Sequence, residues 1–111
     1  MLTGKNAVTV DQLSFIIDAE INPTEVFNTK PDELYNKLID MGFDVQPLGR
    51  GKLAGKDFVQ DGGGYNIHYG GDGYIQYHPE EASHHGGEYY KIANGRNGRS
   101  WYNIHGEKLV K

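Results

Sequence analysis

A chain of 111 residues with a formal net charge of −4 and no cysteine has the length of one domain, held by packing without disulfides or thiolate metal sites. The acid excess argues against a broad basic surface for nucleic acid, and no run approaches the ~18 apolar residues of a membrane span. The opening MLTGKNAVTV also lacks the basic-then-apolar order of a signal peptide. Charge is uneven, however: residues 82–111 hold Lys91, Arg96, Arg99, Lys108 and Lys111 against Glu88 and Glu107, a local cationic patch of +3.

Up to about residue 45 the chain reads helical. Asp11 is a candidate cap for a weakly amphipathic helix with Leu13, Phe15, Ile16 and Ile17 as its apolar positions. A clearer helix is predicted over 31–41. Thr29 or Pro31 starts it, Asp32 and Glu33 suit the positive end of its dipole, and Leu34, Leu38, Ile39 and Met41 recur at helical spacing until Gly42.

From Gly42 onward glycine-rich turns separate short alternating runs, and 11 of the 16 glycines fall between residues 62 and 106, the punctuation of an antiparallel sheet. The predicted runs are Phe58-Val59, Tyr65 to Tyr69, Tyr74 to His78, Glu88 to Ala93 and Trp101 to His105, with a further short strand at Asp44 to Pro47. The fold class expected is α+β, with N-terminal helices packed on a twisted four- to five-stranded antiparallel sheet.

Residues two apart in a strand share a face, so the isoleucines mark the buried side. With them go Tyr65, Ile67, Tyr69, Ile75, Tyr77, Tyr90, Ile92, Tyr102 and Ile104. The other face then carries Asn66, His68, Gln76, His78, Tyr89, Lys91, Trp101, Asn103 and His105, with His84 and His85 in the loop above it. The polar side of any antiparallel sheet accepts histidines and amides. A tryptophan there is less ordinary, and it offers a platform on which a base can stack.

Tyr77 to Lys91, YHPEEASHHGGEYYK, crowds three of the five histidines with a lysine and three tyrosines around Gly86-Gly87. Histidine is both acid and base near neutral pH, and a lysine stabilises developing negative charge. These are the parts needed for metal-independent RNA cleavage by internal transphosphorylation. The candidate catalytic residues are His78, His84, His85 and Lys91: one of His84 and His85 acts as base or acid, His78 or His68 is its counterpart, and Lys91 stabilises the phosphorane. His68, Tyr89, Arg96, Ser100, Trp101 and Tyr102 are candidates for holding the RNA. Glycine at 86 and 87 lets backbone amides approach a phosphate. A metal site built from His78, His84 and His85 with Glu80, Glu81 or Glu88 is the chemical rival, though neither HExxH nor a paired cysteine motif is present. A non-catalytic ligand-binding module with the same aromatic face is the rival of another class.

The helix PDELYNKLIDMGF, the block GGGYNIHYGGDGYIQYHPEEASHHGGEYYKI and the closing SWYNIHGE together resemble the C-terminal ribonuclease domains of bacterial polymorphic toxins, with the Barnase-EndoU-colicin-RelE-like fold. The resemblance runs from about Pro31 to Gly106. It implies residues 1–29 as a linker or helical segment and 30–111 as the ribonuclease-like toxin domain of one compact unit. It further implies an antibacterial endoribonuclease, secreted or delivered by a phage or effector system, which acts in the target-cell cytoplasm on RNA such as a tRNA. A cognate immunity protein would neutralise it in the producer. No cofactor, no membrane association and a monomeric free state are expected.

Overall fold

In the computed structural model, which describes residues 8–70, 72–79, 87–94 and 98–109, four helices precede a four-stranded antiparallel sheet. The expected α+β class is the observed one. Helix α1 spans Val10–Ile21, and its cap is Thr9, not Asp11. The Thr9 hydroxyl accepts from Gln12 N at 3.0 Å while Thr9 N donates to Gln12 Oε1 at 3.1 Å, a reciprocal capping box that satisfies two otherwise orphaned donors. Phe15, Ile16 and Ala19 enter the core, whereas Leu13 and Ile17, counted among the apolar positions of the same helix, face solvent. Buried Gln12 turns its Nε2 to Met41 O at 2.8 Å and ties α1 to the end of the third helix.

Asn22 ends α1, and Pro23 opens the short α2, Pro23–Val26. Helix α3, Pro31–Asp40, starts on its proline and carries Asp32 and Glu33 in the first turn, with Leu34 and Leu38 buried. It closes one residue earlier than expected, in a Schellman turn. Phe43 N bonds Leu38 O and Gly42 N bonds Ile39 O, at 3.0 and 2.9 Å, around Gly42 at φ 84°. Phe58–Asp61 is a short helix, α4, where a strand was expected. The Asp57 carboxylate caps it by accepting from Gln60 N at 2.9 Å, and Gly62 in the left-handed region ends it. Phe58 thereby lays its ring against Tyr35 and Tyr65, with centroids 4.8 and 5.0 Å away. The run Asp44 to Pro47 contributes a single bridge, Gln46 to Asn66, on the outer edge of the sheet.

The strands are β1 Tyr65–His68, β2 Tyr74–His78, β3 Tyr89–Asn94 and β4 Gly98–Tyr102, paired in that order as a meander. Strand β4 lies earlier in the chain than the expected Trp101 to His105. The cause is Asn103, whose side-chain oxygen accepts from His105 N and Glu107 N at 2.9 and 3.0 Å and so folds the chain into a turn. Gly106 completes it at φ 78°, where a Cβ would overlap the Thr24 carbonyl. The returning segment then pairs with the edge of β4 through Leu109 N to Trp101 O at 2.8 Å.

The isoleucine face is the inner one. Tyr65, Ile67, Ile75, Tyr77, Tyr90, Ile92 and Tyr102 are buried against Phe15, Ala19, Phe27, Leu34 and Leu38, so α1 to α3 and the sheet share one core. Tyrosines reach polar partners across it: Tyr65 Oη donates to Pro31 O and Tyr90 Oη to Thr29 O, both at 2.7 Å. Burial, more than any neighbouring charge, pushes the Tyr65, Tyr69, Tyr77 and Tyr90 phenols far above their ordinary range. A phenol whose folded pKa exceeds its unfolded value of about 10 stabilises the fold fully below pH ~10 and progressively less above it. Alkaline titration should therefore release tyrosinate absorbance and lose circular dichroism in one cooperative step above pH ~10. Ordinary independent titration with the dichroism intact would show these phenols to be solvated.

Candidate functional site

The outer face of the sheet is assembled by register. Asn66, Gln76, Lys91 and Trp101 form one row across the four strands, His68, Tyr74, Ala93 and Arg99 form the next, and His78 stands opposite Tyr89 in a third. Lys91 is at the centre. Its Nζ lies 5.5 Å from the Tyr74 ring centroid and 5.9 Å from that of Trp101, so two aromatic faces hold the ammonium by cation–π attraction. His78 stacks flat on Tyr89, with centroids 4.8 Å apart and planes 4° from parallel, and its Nε2 donates to Gln76 Oε1 at 2.8 Å. Lys91 follows Tyr89 by two residues on β3, which sets the lysine about 7 Å along the strand from the histidine's stacking partner.

Five sequence-predicted residues thus meet on this face: His68, His78, Tyr89, Lys91 and Trp101. Tyr89 is 2% exposed, under the His78 ring, and burial raises its pKa, so its phenol stays protonated near neutral pH. Asn66, expected on the polar face, is covered as well. Its Nδ2 donates to Pro47 O at 2.8 Å, a structural tie to the preceding loop.

Two predicted RNA-binding residues lie elsewhere. Tyr102 stacks on Phe27 in the core, with centroids 5.5 Å apart, which removes it from any substrate on the outer face. Ser100 pairs with Ile92 and therefore faces inward, lining a small cleft with Ala19, Pro23 and Tyr102. His105, expected on the polar face, sits in the Asn103 turn bridged to Asn28. His84, His85 and Arg96 fall outside the described residues.

Two residues of the face escaped sequence reasoning. Tyr74 is the first residue of β2, and alternation from Gln76 and His78 points to it directly. Arg99 is exposed opposite Ala93, two residues before Trp101, and only a β4 that begins at Gly98 reveals it. Among the described residues no group of three or more histidine, aspartate or glutamate side chains is arranged to hold a metal, and no helix is long and apolar enough to cross a membrane. No protein-family model, curated protein or solved structure matches this chain.

Proposed function

We propose that the outer face binds RNA and cleaves it by metal-independent transphosphorylation, as the toxin domain of an antibacterial endoribonuclease. The observation that carries this reading is the placement of Lys91 between Tyr74 and Trp101 one row from the His78–Tyr89 stack. A phosphate seated over Lys91 brings its flanking bases to the two rings, and stacking of single-stranded bases on such rings contributes roughly 1–3 kcal/mol each.

In the reaction a general base takes the 2′-hydroxyl proton, the 2′-oxygen forms its bond to phosphorus, and the P–O5′ bond breaks as a general acid protonates the leaving oxygen. His78 serves one of these proton transfers. His84 or His85 is assigned the other. Lys91 neutralises the extra charge of the phosphorane, and His68 and Arg99 hold the neighbouring phosphates. The cellular setting, delivery into a competitor and restraint by an immunity protein, rests on the resemblance of the strand block to polymorphic toxin domains.

The test is purified protein with structured and unstructured RNA in excess EDTA. Cleavage with 2′,3′-cyclic phosphate and 5′-hydroxyl ends is expected. Saturable RNA binding without new ends would instead assign the face to a binding module, and cleavage restored only by added metal would refute the metal-independent mechanism.

A further inference from the structure

Helix α1 carries two apolar faces. Phe15, Ile16 and Ala19 fill the core on one side. On the other, Val10, Leu13, Ile17 and Ile21 are 81%, 51%, 46% and 70% exposed. Steps of three, four and four residues place these four side chains within about 80° of one another around the helix axis, away from the sheet. Single exposed aliphatics are ordinary, but four aligned along a surface helix form the stripe that a helix buries against another element.

The charge around the stripe says what kind of element fits. Residues 8–44 hold eight acids against Lys30 and Lys37. Beside the stripe runs an open groove between α1 and α3, lined by Thr9, Asp11, Glu33, Lys37, Asp40 and Met41, and Asp18 extends it along α1. Lys37 places its Nζ 5.5 Å from the Phe15 ring centroid, where a cation already sits against the groove wall. A second copy of the same helix would bring Asp11 and Asp18 against like charge. A cationic helix finds both complements.

We propose that this face docks a cationic amphipathic helix of a partner protein, its apolar residues on Val10, Leu13, Ile17 and Ile21 and its lysines or arginines toward Asp11, Asp18, Glu33 and Asp40. This is helix-in-groove recognition, with anchors at helical spacing and charge setting the specificity. It lies on the side of α1 away from the sheet, so it is independent of chemistry on the outer face.

The probe is a fluorescein-labelled helical peptide with leucines at i, i+3, i+4 and i+7 and lysines elsewhere. Its controls are the same peptide with glutamate for lysine, and oligolysine. Micromolar binding at low salt that weakens as salt rises is expected from the first peptide alone. The double variant Leu13→Ser with Ile17→Ser should weaken it by about tenfold or more, and Asp11→Asn with Asp18→Asn should flatten the salt dependence. Both pairs lie at exposed positions, and circular dichroism checks that the fold is kept. Equal binding of oligolysine with no effect of the serine variants would overturn the proposal, leaving only generic attraction of cations. Sedimentation that shows a dimer, strengthened by salt and lost in the serine variants, would also overturn it by making a second copy the occupant.

Discussion

On the proposed ribonuclease reading, replacing Lys91 by alanine is expected to lower kcat for RNA cleavage by about 10²–10³-fold with little change in KM. The lysine's charge matters most when the phosphorane carries more negative charge than the ground-state diester, so its removal weakens the transition state more than substrate binding. The same ammonium also rests over Tyr74 and Trp101. Each cation–π contact at a partly exposed site contributes about 0.5–1 kcal/mol, so the melting temperature should fall by roughly 5–10 °C. Lys91→Arg keeps the charge and the stacking but spreads the cation over a plane, and should retain part of the rate. Trp101→Ala should behave differently, raising KM for single-stranded substrate through loss of a stacking surface. A Lys91→Ala protein with kcat within about threefold of the unaltered one would remove Lys91 from the proposed mechanism, whatever its RNA affinity.

The face that holds Lys91 was legible because β-strand alternation has a period of two and the inner face is packed with isoleucine and tyrosine. Ile67, Ile75, Tyr90 and Ile92 set the parity of three strands, and His78, Lys91 and His68 followed from it. Strand β4 broke that reasoning. Its parity was right at Trp101 and Tyr102, yet its extent was misjudged, because Asn103 makes side-chain bonds to two backbone amides that compete with the sheet ladder. The same shift hid Arg99 and turned Ser100 inward. Tyr102 was placed in the core by alternation and also offered as a phosphate donor, two readings that its stacking on Phe27 separates. Phe58 failed for a local reason, since one capping aspartate and a following glycine suffice for a single helical turn that hydrophobicity alone reads as strand. Helix α1 looked weakly amphipathic because its apolar residues divide between two opposed faces, a pattern that averages out in any single periodicity.

Phe27→Ala should be the most destabilising single change outside the sheet, costing about 3–5 kcal/mol. Nothing in the sequence marks this residue, which sits between α2 and α3 without helical or strand periodicity. In the fold it is 0% exposed and stacks on Tyr90 and Tyr102, with centroids 5.2 and 5.5 Å away. Its ring is thus the joint between the helical layer and strands β3 and β4. Removing it opens a cavity walled by two tyrosine faces. The rings cannot collapse into it freely, because the hydroxyl of Tyr90 is held by Thr29 O at 2.7 Å. Since domains of this size are stable by only about 5–15 kcal/mol, the variant should melt roughly 15–25 °C lower. Phe27→Leu, which keeps most of the volume, should cost about 1–1.5 kcal/mol. Lys91 and Trp101 project from the opposite side of the same two strands, so Phe27→Ala assayed well below its own melting point should keep its kcat. Loss of rate in a still-folded Phe27→Ala protein would mean that the inner stack sets the geometry of the outer face. A cost under about 1 kcal/mol would mean that the two tyrosines close over the gap.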